Sequence, residues 1–297
     1  MRLPGEYPRR RRARDLLIDA GFALGDRLAA RGRWPHPGRV RRGLAWLIGD
    51  LYLIETGGAL IGGSLVDHGS YLHYVAVGGL HPLQRRLYVD AVEPGSVVVD
   101  CGAHIGVHAV LAGRRTGPGG RVFAIEPAPP NLGPLRANVA ANGLAENVDV
   151  IDGAASDSSG TETIYLHTEL DQSGMTLVAE RFREAVEVRR VVLDEVLDGR
   201  RVDVLKVDVE GAEALVLDGL RETLERSRGA VAFIECHPPK LAEAGTDPAA
   251  WAAELRERGR LELIDEESGR LVPASEDELA RVLGDLPQSF NLRWTVG

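Results

Sequence analysis

Acidic side chains end five strand-like segments between residues 97 and 237. Each segment is a short run of apolar, mostly β-branched residues, and each stops at or beside a carboxylate. A carboxylate in such a place can accept hydrogen bonds from hydroxyl groups, bind an ammonium, take up a proton or ligate a hard cation. The candidate residues are Asp100, Glu126, Asp152, Asp208 with Glu210, and Glu235 with His237.

The elements that must position these residues follow an alternating pattern. From about residue 91 the strand-like segments VVVD, RVFAIEP, VDVID, VDVLKVD and AVAFIEC alternate with helical stretches. Buried apolar strands separated by helices are typical of a parallel sheet covered on both faces. The sequence therefore predicts an α/β, doubly wound, Rossmann-like fold. Ligands of such sheets bind at the carboxyl ends of the strands, so the acidic residues should share one polar cleft.

The segment after the first of these strands, DCGAHIG, has the composition of a ligand-binding loop. Gly102 permits a tight turn and a close backbone approach, and Gly106 permits close packing at the start of a helix. A dinucleotide loop would read G-x-G-x-x-G, but His104 stands where its second glycine would be. Asp100 would repel a pyrophosphate and suits an ammonium, such as that of S-adenosylmethionine. Nevertheless, a simple strand-to-helix turn remains an alternative.

Four blocks of the sequence resemble the FkbM-type S-adenosylmethionine-dependent methyltransferases. VVVDCGAHIG is similar to the D-x-G-A-N-x-G loop of that family, with His104 in place of the usual asparagine. EPAPPNLGPLRANVAANGL, VVLDEVL and VDVLKVDVEGAEALVLDGL followed by FIECHP are similar to its later blocks. Together they cover about residues 90–240.

The resemblance implies a class I methyltransferase sheet of seven strands, the last antiparallel, and it assigns cofactor contacts. The methionine moiety would lie on the loop, with Asp100 near its ammonium. Glu126 would hold the ribose, and Asp152 would lie near the adenine amino group. The implied cofactor-binding residues are Asp100, Gly102, Ala103, Gly106, Glu126 and Asp152.

An alcohol is a poor nucleophile unless a base or a metal assists it. Asp208 is the first candidate for the catalytic residue, because it ends the central fourth strand beside the first, and Glu235 and His237 are further candidates on the same rim. Asp208 and Glu210 could instead hold Mg²⁺, although Glu210 is equally well explained as a helix cap. The chain has only two lysines, and Lys206 could neutralise Asp208 or Glu210.

Composition suggests three segments and a small-molecule substrate. Residues 1–45 form a basic arm with an amphipathic helix, 46–90 a small β-rich segment, and 91–297 the cofactor-binding domain. Residues 1–42 carry twelve Arg and four acidic residues, a charge of +8, so the remainder carries −9 − 8 = −17. An acidic body disfavours nucleic acid as a partner. The segment LVDHGSYLHYV is predicted to be a half-buried strand.

We expect a cytoplasmic protein without a transmembrane segment, since no apolar run of about 18 residues is present. Both Cys101 and Cys236 are expected to be buried thiols. A homo-oligomer is compatible with the sequence.

The predicted function is O-methylation of a hydroxyl on a sugar, glycoside or natural-product scaffold, with S-adenosylmethionine as methyl donor. Three alternatives remain: a nucleic-acid methyltransferase, a nicotinamide-dependent oxidoreductase, and a non-catalytic cofactor-binding protein. The first is disfavoured because the fourth strand is followed by DVEG rather than a D/N-P-P-Y/F motif.

Overall fold

The computed structural model describes residues 51–64, 67–76, 78, 81–166, 175–176, 184–284 and 289–297. These residues fall into two compact units, one up to residue 78 and one from residue 81 onward. The predicted basic arm and its amphipathic helix, residues 1–45, lie outside the described residues.

The first unit is a β-hairpin followed by a helix. Strands β1 (Leu51–Thr56) and β2 (Ala59–Ser64) pair antiparallel through a two-residue turn. Gly57 and Gly58 form this turn with φ of 54° and 74°, the left-handed geometry that two-residue hairpins favour.

The strand predicted for residues 65–75 is wrong, because helix α1 (Gly69–Ala76) occupies most of this segment. Leu72 and Val75 are both buried. Their spacing of three places them on one helical face. This part of the 46–90 segment is therefore helical rather than β-rich.

The second unit contains the alternating strands and helices. The strands are β3 (Val97–Cys101), β4 (Arg121–Glu126), β5 (Val148–Asp152), β6 (Ala154–Ser156), β7 (Gly160–Leu166), β8 (Met175–Thr176), β9 (Glu184–Val192), β10 (Val204–Val207), β11 (Val231–Cys236), β12 (Gly259–Asp265), β13 (Arg270–Pro273) and β14 (Phe290–Val296). The helices are α2 (Pro82–Ala91), α3 (Val107–Thr116), α4 (Pro129–Ala141), α5 (Leu193–Leu197), α6 (Glu213–Asp218), α7 (Arg221–Arg226), α8 (Pro238–Glu243), α9 (Pro248–Arg258) and α10 (Glu276–Gly284).

The main sheet has eight strands in the order β13-β12-β14-β11-β10-β3-β4-β5. Strands β3, β4, β5, β10 and β11 are parallel, and β14 is antiparallel to β11. This confirms the predicted α/β doubly wound sheet with an antiparallel closing strand. The prediction of seven strands misses one, because β13 extends the edge by pairing antiparallel with β12.

The strand order reverses between β3 and β10, which lie side by side although about 100 residues separate them in sequence. Such a switch point opens a crevice at the carboxyl ends of the strands. Val99, Leu205 and Phe233 are at least 99% buried in the middle of the sheet, so the central strands form a rigid base beneath that edge.

A second, four-stranded sheet of order β6-β9-β7-β8 follows β5. Its small core includes Ile164, Leu166 and Val188, which pack with Ala128. The sequence analysis did not predict this sheet.

Candidate active site

The loop after β3 is shaped by close backbone packing. Gly102 has a φ of 80°, and a Cβ atom there would lie 1.9 Å from the carbonyl oxygen of Asp208. Gly106 has a φ of 90°, and its Cβ would lie 2.5 Å from Leu135 Cδ1. Only glycine fits the first position without moving the backbone. The amides of Gly102 and Ala103 both donate to the carbonyl of Ile125, at 3.0 and 2.9 Å, so the loop is fixed to β4.

Asp100 is fully buried at the end of β3. Neither of its carboxylate oxygens has a well-aligned hydrogen-bond donor among the described residues. Burial, opposed by Lys206 and assisted by Asp208, raises the pKa of Asp100 to about 6. A buried carboxylate without a strong donor is costly, and a bound cation or ammonium would relieve that cost.

Glu126 ends β4 and organises the backbone around it. Its Oε2 accepts the backbone N–H of His104 at 2.7 Å. Its Oε1 accepts the N–H of Ala128 at 2.9 Å and the side-chain amide of Asn131 at 3.1 Å. Burial raises the pKa of Glu126 to about 7, although these hydrogen bonds oppose the rise. Glu126 thereby joins the loop to the start of α4, a contact that no sequence pattern indicates.

Asp152 lies beside Glu126, since the two residues pair in register between β4 and β5. Its side chain is exposed. Its backbone carbonyl accepts two hydrogen bonds from the Arg189 guanidinium, at 2.8 and 3.2 Å. The structure thus places Asp152 on the same edge as Glu126.

Lys206 and Asp208 form an ion pair at the end of β10. The Lys206 Nζ lies 2.7 Å from Asp208 Oδ2, and the lysine side chain is 4% exposed. Burial opposes the charge of Lys206, but Asp208 and Asp100 outweigh it and raise the lysine pKa. Burial also favours protonation of Asp208, but Lys206 overcomes this and lowers the carboxyl pKa. Asp208 is consequently held ionised and has a weak affinity for a proton.

Glu235 lies near the end of β11, the strand next to the one that carries this ion pair. Val207 and Ile234 are partners in the parallel pair of β10 and β11, so the next residues, Asp208 and Glu235, are neighbours. The charge of Asp208, together with burial, raises the pKa of Glu235. Glu235 is therefore better suited than Asp208 to accept a proton.

The side chains of Asp100, Lys206, Asp208 and Glu235 lie on one face of the sheet. Asp100 is the register partner of Lys206, and Lys206 is also the partner of Phe233. Side chains of directly paired residues project to the same side, and every second residue along a strand repeats that side. Tyr88 of α2 packs edge-on against Phe233, so α2 covers this face. The strand ends on this face therefore carry the acids Asp100, Asp208 and Glu235.

His237 follows Glu235 but interacts with a different set of charges. Burial, followed by the charge of Lys240, lowers the pKa of His237, and Glu243 opposes the shift. The histidines that act on the cluster are others: His81 lowers the pKa of both Asp208 and Glu235, and His104 that of Asp208. The sequence analysis missed His81.

Comparison with known proteins decides the family. Residues 100–261, more than half of the chain, match the Methyltransferase FkbM domain. The chain belongs to the FkbM methyltransferase family.

Relatives of this FkbM-family chain cover parts of its length. Methyltransferase sdnD of Sordaria araneosa is 33% identical over 157 residues, 42% of this chain and 60% of that protein, so the match spans about three fifths of the relative. The 31-O-demethyl-FK506 methyltransferase FkbM of Streptomyces tacrolimicus is 27% identical over 53% of this chain and 75% of its own length. Hexuronic acid methyltransferase AglP of Haloferax volcanii is 28% identical over 55% of this chain and 62% of its own.

Among solved structures, the O-methyltransferase TomG of Streptomyces achromogenes in complex with SAM superposes with a TM-score of 0.40 at 16% identity. That superposition covers 72% of this chain and 78% of TomG.

The predicted Mg²⁺ ligands of this FkbM-family chain do not fit a metal site. Asp208 is paired with Lys206, and Glu210 forms an ion pair with Lys240. Each carboxylate already has a cationic partner. Nor do the described residues contain a group of three or more His, Cys, Asp or Glu able to hold a metal ion.

Glu210 and the neighbouring Glu213 instead shape the segment after β10. Glu210 adopts a φ of 57°, and Glu213 Oε1 accepts the backbone N–H of Gly211 at 3.0 Å. Burial raises the pKa of each of these glutamates to about 7.

Within the described part of the chain, no helix combines the length and apolar character needed to cross a bilayer.

Proposed function

We propose that this protein is an S-adenosylmethionine-dependent methyltransferase that methylates a hydroxyl group of a small molecule. The observation that carries the proposal is the cluster of carboxylates at the strand ends of an FkbM-family sheet. Asp100, Asp208 and Glu235 share a face on which Lys206 is committed to Asp208. The excess negative charge suits a cationic methyl donor.

The residues around the loop fit S-adenosylmethionine. Asp100 offers a buried carboxylate for the ammonium, and the Gly102–Ala103 backbone forms the floor for the methionine moiety. Because the amides of both residues bind Ile125, we expect contacts through their Cα atoms and carbonyls. Gly106 lets the following helix begin close to the loop.

Two further residues would hold the nucleoside. A carboxylate oxygen of Glu126 would accept a hydrogen bond from a ribose hydroxyl, using a lone pair that its three existing hydrogen bonds do not occupy. Asp152 on the adjacent strand end would lie toward the adenine. A pyrophosphate would instead face the Asp100 carboxylate, which disfavours nicotinamide dinucleotides.

When bound, S-adenosylmethionine would supply a methyl group on a cationic sulfur, and that sulfur would leave as a neutral thioether when the methyl carbon is transferred to the acceptor oxygen. As the new O–C bond forms and the S–C bond breaks, we propose that Glu235 takes the hydroxyl proton. Glu235 suits this step because its pKa is raised. Asp208, whose pKa Lys206 lowers, contributes negative charge near the cationic donor. His237 is the second candidate for the base.

A small hydroxyl-bearing acceptor is favoured over nucleic acid. The names of two relatives specify an FK506 oxygen and a hexuronic acid. Residues 43–297 carry a formal charge of −17, obtained as −9 − 8, which would repel a phosphate backbone. We propose a sugar, glycoside or natural-product hydroxyl on these grounds.

Transfer of a labelled methyl group tests the proposal. The purified protein is incubated with S-adenosylmethionine labelled in its methyl group and a panel of glycosides, uronic acids and polyketides. We expect label in a methyl ether, whereas label in a methyl ester would show that the acceptor is a carboxylate rather than a hydroxyl. Glu235→Gln should lower turnover by about 10²–10⁴-fold, the usual contribution of a general base, with little change in donor affinity.

Arg228→Gln is the matched control, because Arg228 is exposed just before β11, at the opposite end of that strand from Glu235. It should leave turnover unchanged. Wild-type turnover in Glu235→Gln, with a large loss in His237→Gln, would move the base to His237.

A further inference from the structure

The loop between β3 and α3 contains a tight turn with a costly backbone conformation. Residues 103–106 form this turn, and a hydrogen bond of 2.8 Å from the Gly106 N–H to the Ala103 carbonyl closes it. His104, the second residue of the turn, adopts a φ of 52°. This left-handed geometry is uncommon for a residue other than glycine and is sterically unfavourable. The turn therefore needs support from the residues around it.

Two contacts hold the turn, one at each of its central residues. The Glu126 carboxylate accepts the N–H of His104 at 2.7 Å, which ties the turn to the end of β4. From the other side, Asn138 of α4 donates its side-chain amide to the carbonyl of Ile105 at 2.7 Å. Asn138 and Ile105 are 4% and 0% exposed. Because water is excluded there, a lost hydrogen bond would leave the Ile105 carbonyl buried without this partner.

The contact with Asn138 also orients the next peptide group. In a trans peptide the carbonyl and the N–H point in opposite directions. With the Ile105 carbonyl directed toward α4, the Gly106 N–H points back into the turn, where it meets the Ala103 carbonyl. Asn138 therefore supports the hydrogen bond that closes the turn.

The groups that the turn positions are those to which the proposed function assigns the methyl donor. The Ala103 amide is fixed to Ile125 at 2.9 Å, whereas its carbonyl closes the turn. Opening the turn would release that carbonyl, which we expect to contact the methionine moiety. It would also move the N–H of His104 away from Glu126, the residue expected to hold the ribose. Both parts of the donor site consequently depend on the turn.

We propose that Asn138 is a positioning residue for the methyl donor, which keeps the β3–α3 loop in its binding conformation by holding the Ile105 carbonyl. The inference rests on the proposed function and adds to it a residue of α4 that acts through the loop, without contact to the donor. When only a fraction of the molecules is competent to bind, the apparent dissociation constant rises as that fraction falls. Loss of the Asn138 contact should therefore appear as weaker donor binding.

Binding of S-adenosylhomocysteine to Asn138→Leu tests the proposal. Leucine is close to asparagine in shape and suits a buried site, but it cannot donate to the Ile105 carbonyl. We expect the dissociation constant to rise by about fivefold or more, because the turn opens in a share of the molecules.

Asn147→Leu is the matched control. Asn147 is also buried, and its side-chain amide donates to the carbonyls of Gly113 and Gly117 at 3.0 and 3.1 Å. These carbonyls lie at the other end of α3 from the loop. Asn147→Leu should thus lower stability in a similar way but change the dissociation constant by less than about twofold.

The strained residue of the turn provides a second test. His104→Gly removes the steric cost at this position, because glycine adopts positive φ readily. If Asn138 acts by holding the turn, Asn138→Leu should cost less affinity in the His104→Gly background than in the wild type, so the two substitutions should be non-additive. The same loss in both backgrounds would show that Asn138 acts elsewhere in α4 and would overturn the inference.

Amide hydrogen exchange gives a readout that does not require the methyl donor. The Gly106 N–H, which closes the turn, should exchange faster in Asn138→Leu and at the wild-type rate in Asn147→Leu. If the wild type binds no S-adenosylhomocysteine but Gly106 exchanges faster in Asn138→Leu, the proposed function fails while the hold of Asn138 on the turn stands. Unchanged exchange at Gly106 in a folded Asn138→Leu protein, or an equal loss of affinity in Asn147→Leu, would contradict the proposal.

Discussion

The two lysines of the chain both neutralise acids of the D-V-E segment after β10. Lys206 pairs with Asp208, and Lys240 pairs with Glu210. The sequence singled out Lys206 because lysine is so rare here, but it left open which of the two acids it would meet. The answer depends on strand register and on the position of α8, which a single sequence does not specify.

The buried ion pair predicts a particular double-mutant result. Asp208→Asn should destabilise the protein by about 1–3 kcal/mol, because the buried charge of Lys206 loses its ion-pair partner and keeps only Asp100 as a counter-charge. Adding Lys206→Met should recover only part of that loss, because the buried Asp100 then loses the cation beside it. Denaturant unfolding of the four proteins measures the coupling. Simple additivity of the two substitutions would contradict the account.

His81 shows why part of the site could not be predicted. Its partner Asn291 lies 210 residues away, and neither residue occurs in a recognisable motif. The acids at the strand ends could be found because a parallel sheet brings consecutive strand ends to one edge. Only the folded arrangement of β14 beside β11 brings Asn291 and His81 to that edge.

At the scale of elements, the site is held in place where the β3–α3 loop packs against the backbone at the end of β10. The two glycines of the loop differ in what surrounds them. A side chain at Gly102 would meet the backbone of Asp208, whereas one at Gly106 would meet the flexible end of Leu135. Both have positive φ, so both substitutions carry backbone strain.

Three alanine substitutions test this arrangement. Gly106→Ala should cost about 1–2 kcal/mol for the left-handed conformation. Gly102→Ala should cost more and should also abolish donor binding, since the loop must move away from β10. Gly133→Ala in α4, where a Cβ atom meets nothing within 4 Å, should be neutral or stabilising by up to about 1 kcal/mol. Thermal unfolding and donor titration provide the readouts; equal effects at positions 102 and 106 would refute the packing argument.

Strands that are largely apolar were easier to predict than strands that carry exposed polar residues. The parallel strands β3, β4, β5, β10 and β11 follow from their apolar runs and polar ends. By contrast, none of the residues of β13 is fully buried, and in β7 and β9 exposed charged residues alternate with apolar ones. Their pairing depends on neighbouring strands and not on local pattern, which is why the edge strand and the second sheet were missed.

At the scale of the whole molecule, buried acids dominate the pH dependence of stability. Burial raises the pKa of Glu126, Glu210 and Glu213 to about 7. A folded-state pKa above the unfolded value means that the folded protein binds more protons between the two pKa values. Stability therefore falls as the pH rises through the interval between them. Burial lowers the pKa of His108. This histidine therefore makes stability rise with pH, but mainly below the pKa that it has in the unfolded chain.

We therefore expect the unliganded protein to lose roughly 2 kcal/mol of stability between pH 6.5 and pH 8, about 0.8 kcal/mol for each of the three glutamates. Glu213→Gln should flatten this dependence, because the glutamine oxygen can still accept the Gly211 amide while no proton is lost. Chemical denaturation at several pH values measures both slopes. A stability that rises over this interval in the wild type would contradict the assigned burial of these acids.

Binding calorimetry with S-adenosylhomocysteine and NAD⁺ tests the central claim most directly. We predict saturable binding of the S-adenosyl ligand and no comparable binding of NAD⁺. Glu126→Gln removes the charge and replaces one accepting oxygen by an NH₂ group, which cannot accept the N–H that it faces, so it should weaken the S-adenosyl ligand by about 1–3 kcal/mol. Tight binding of NAD⁺ with no response to S-adenosylhomocysteine or S-adenosylmethionine would contradict the account.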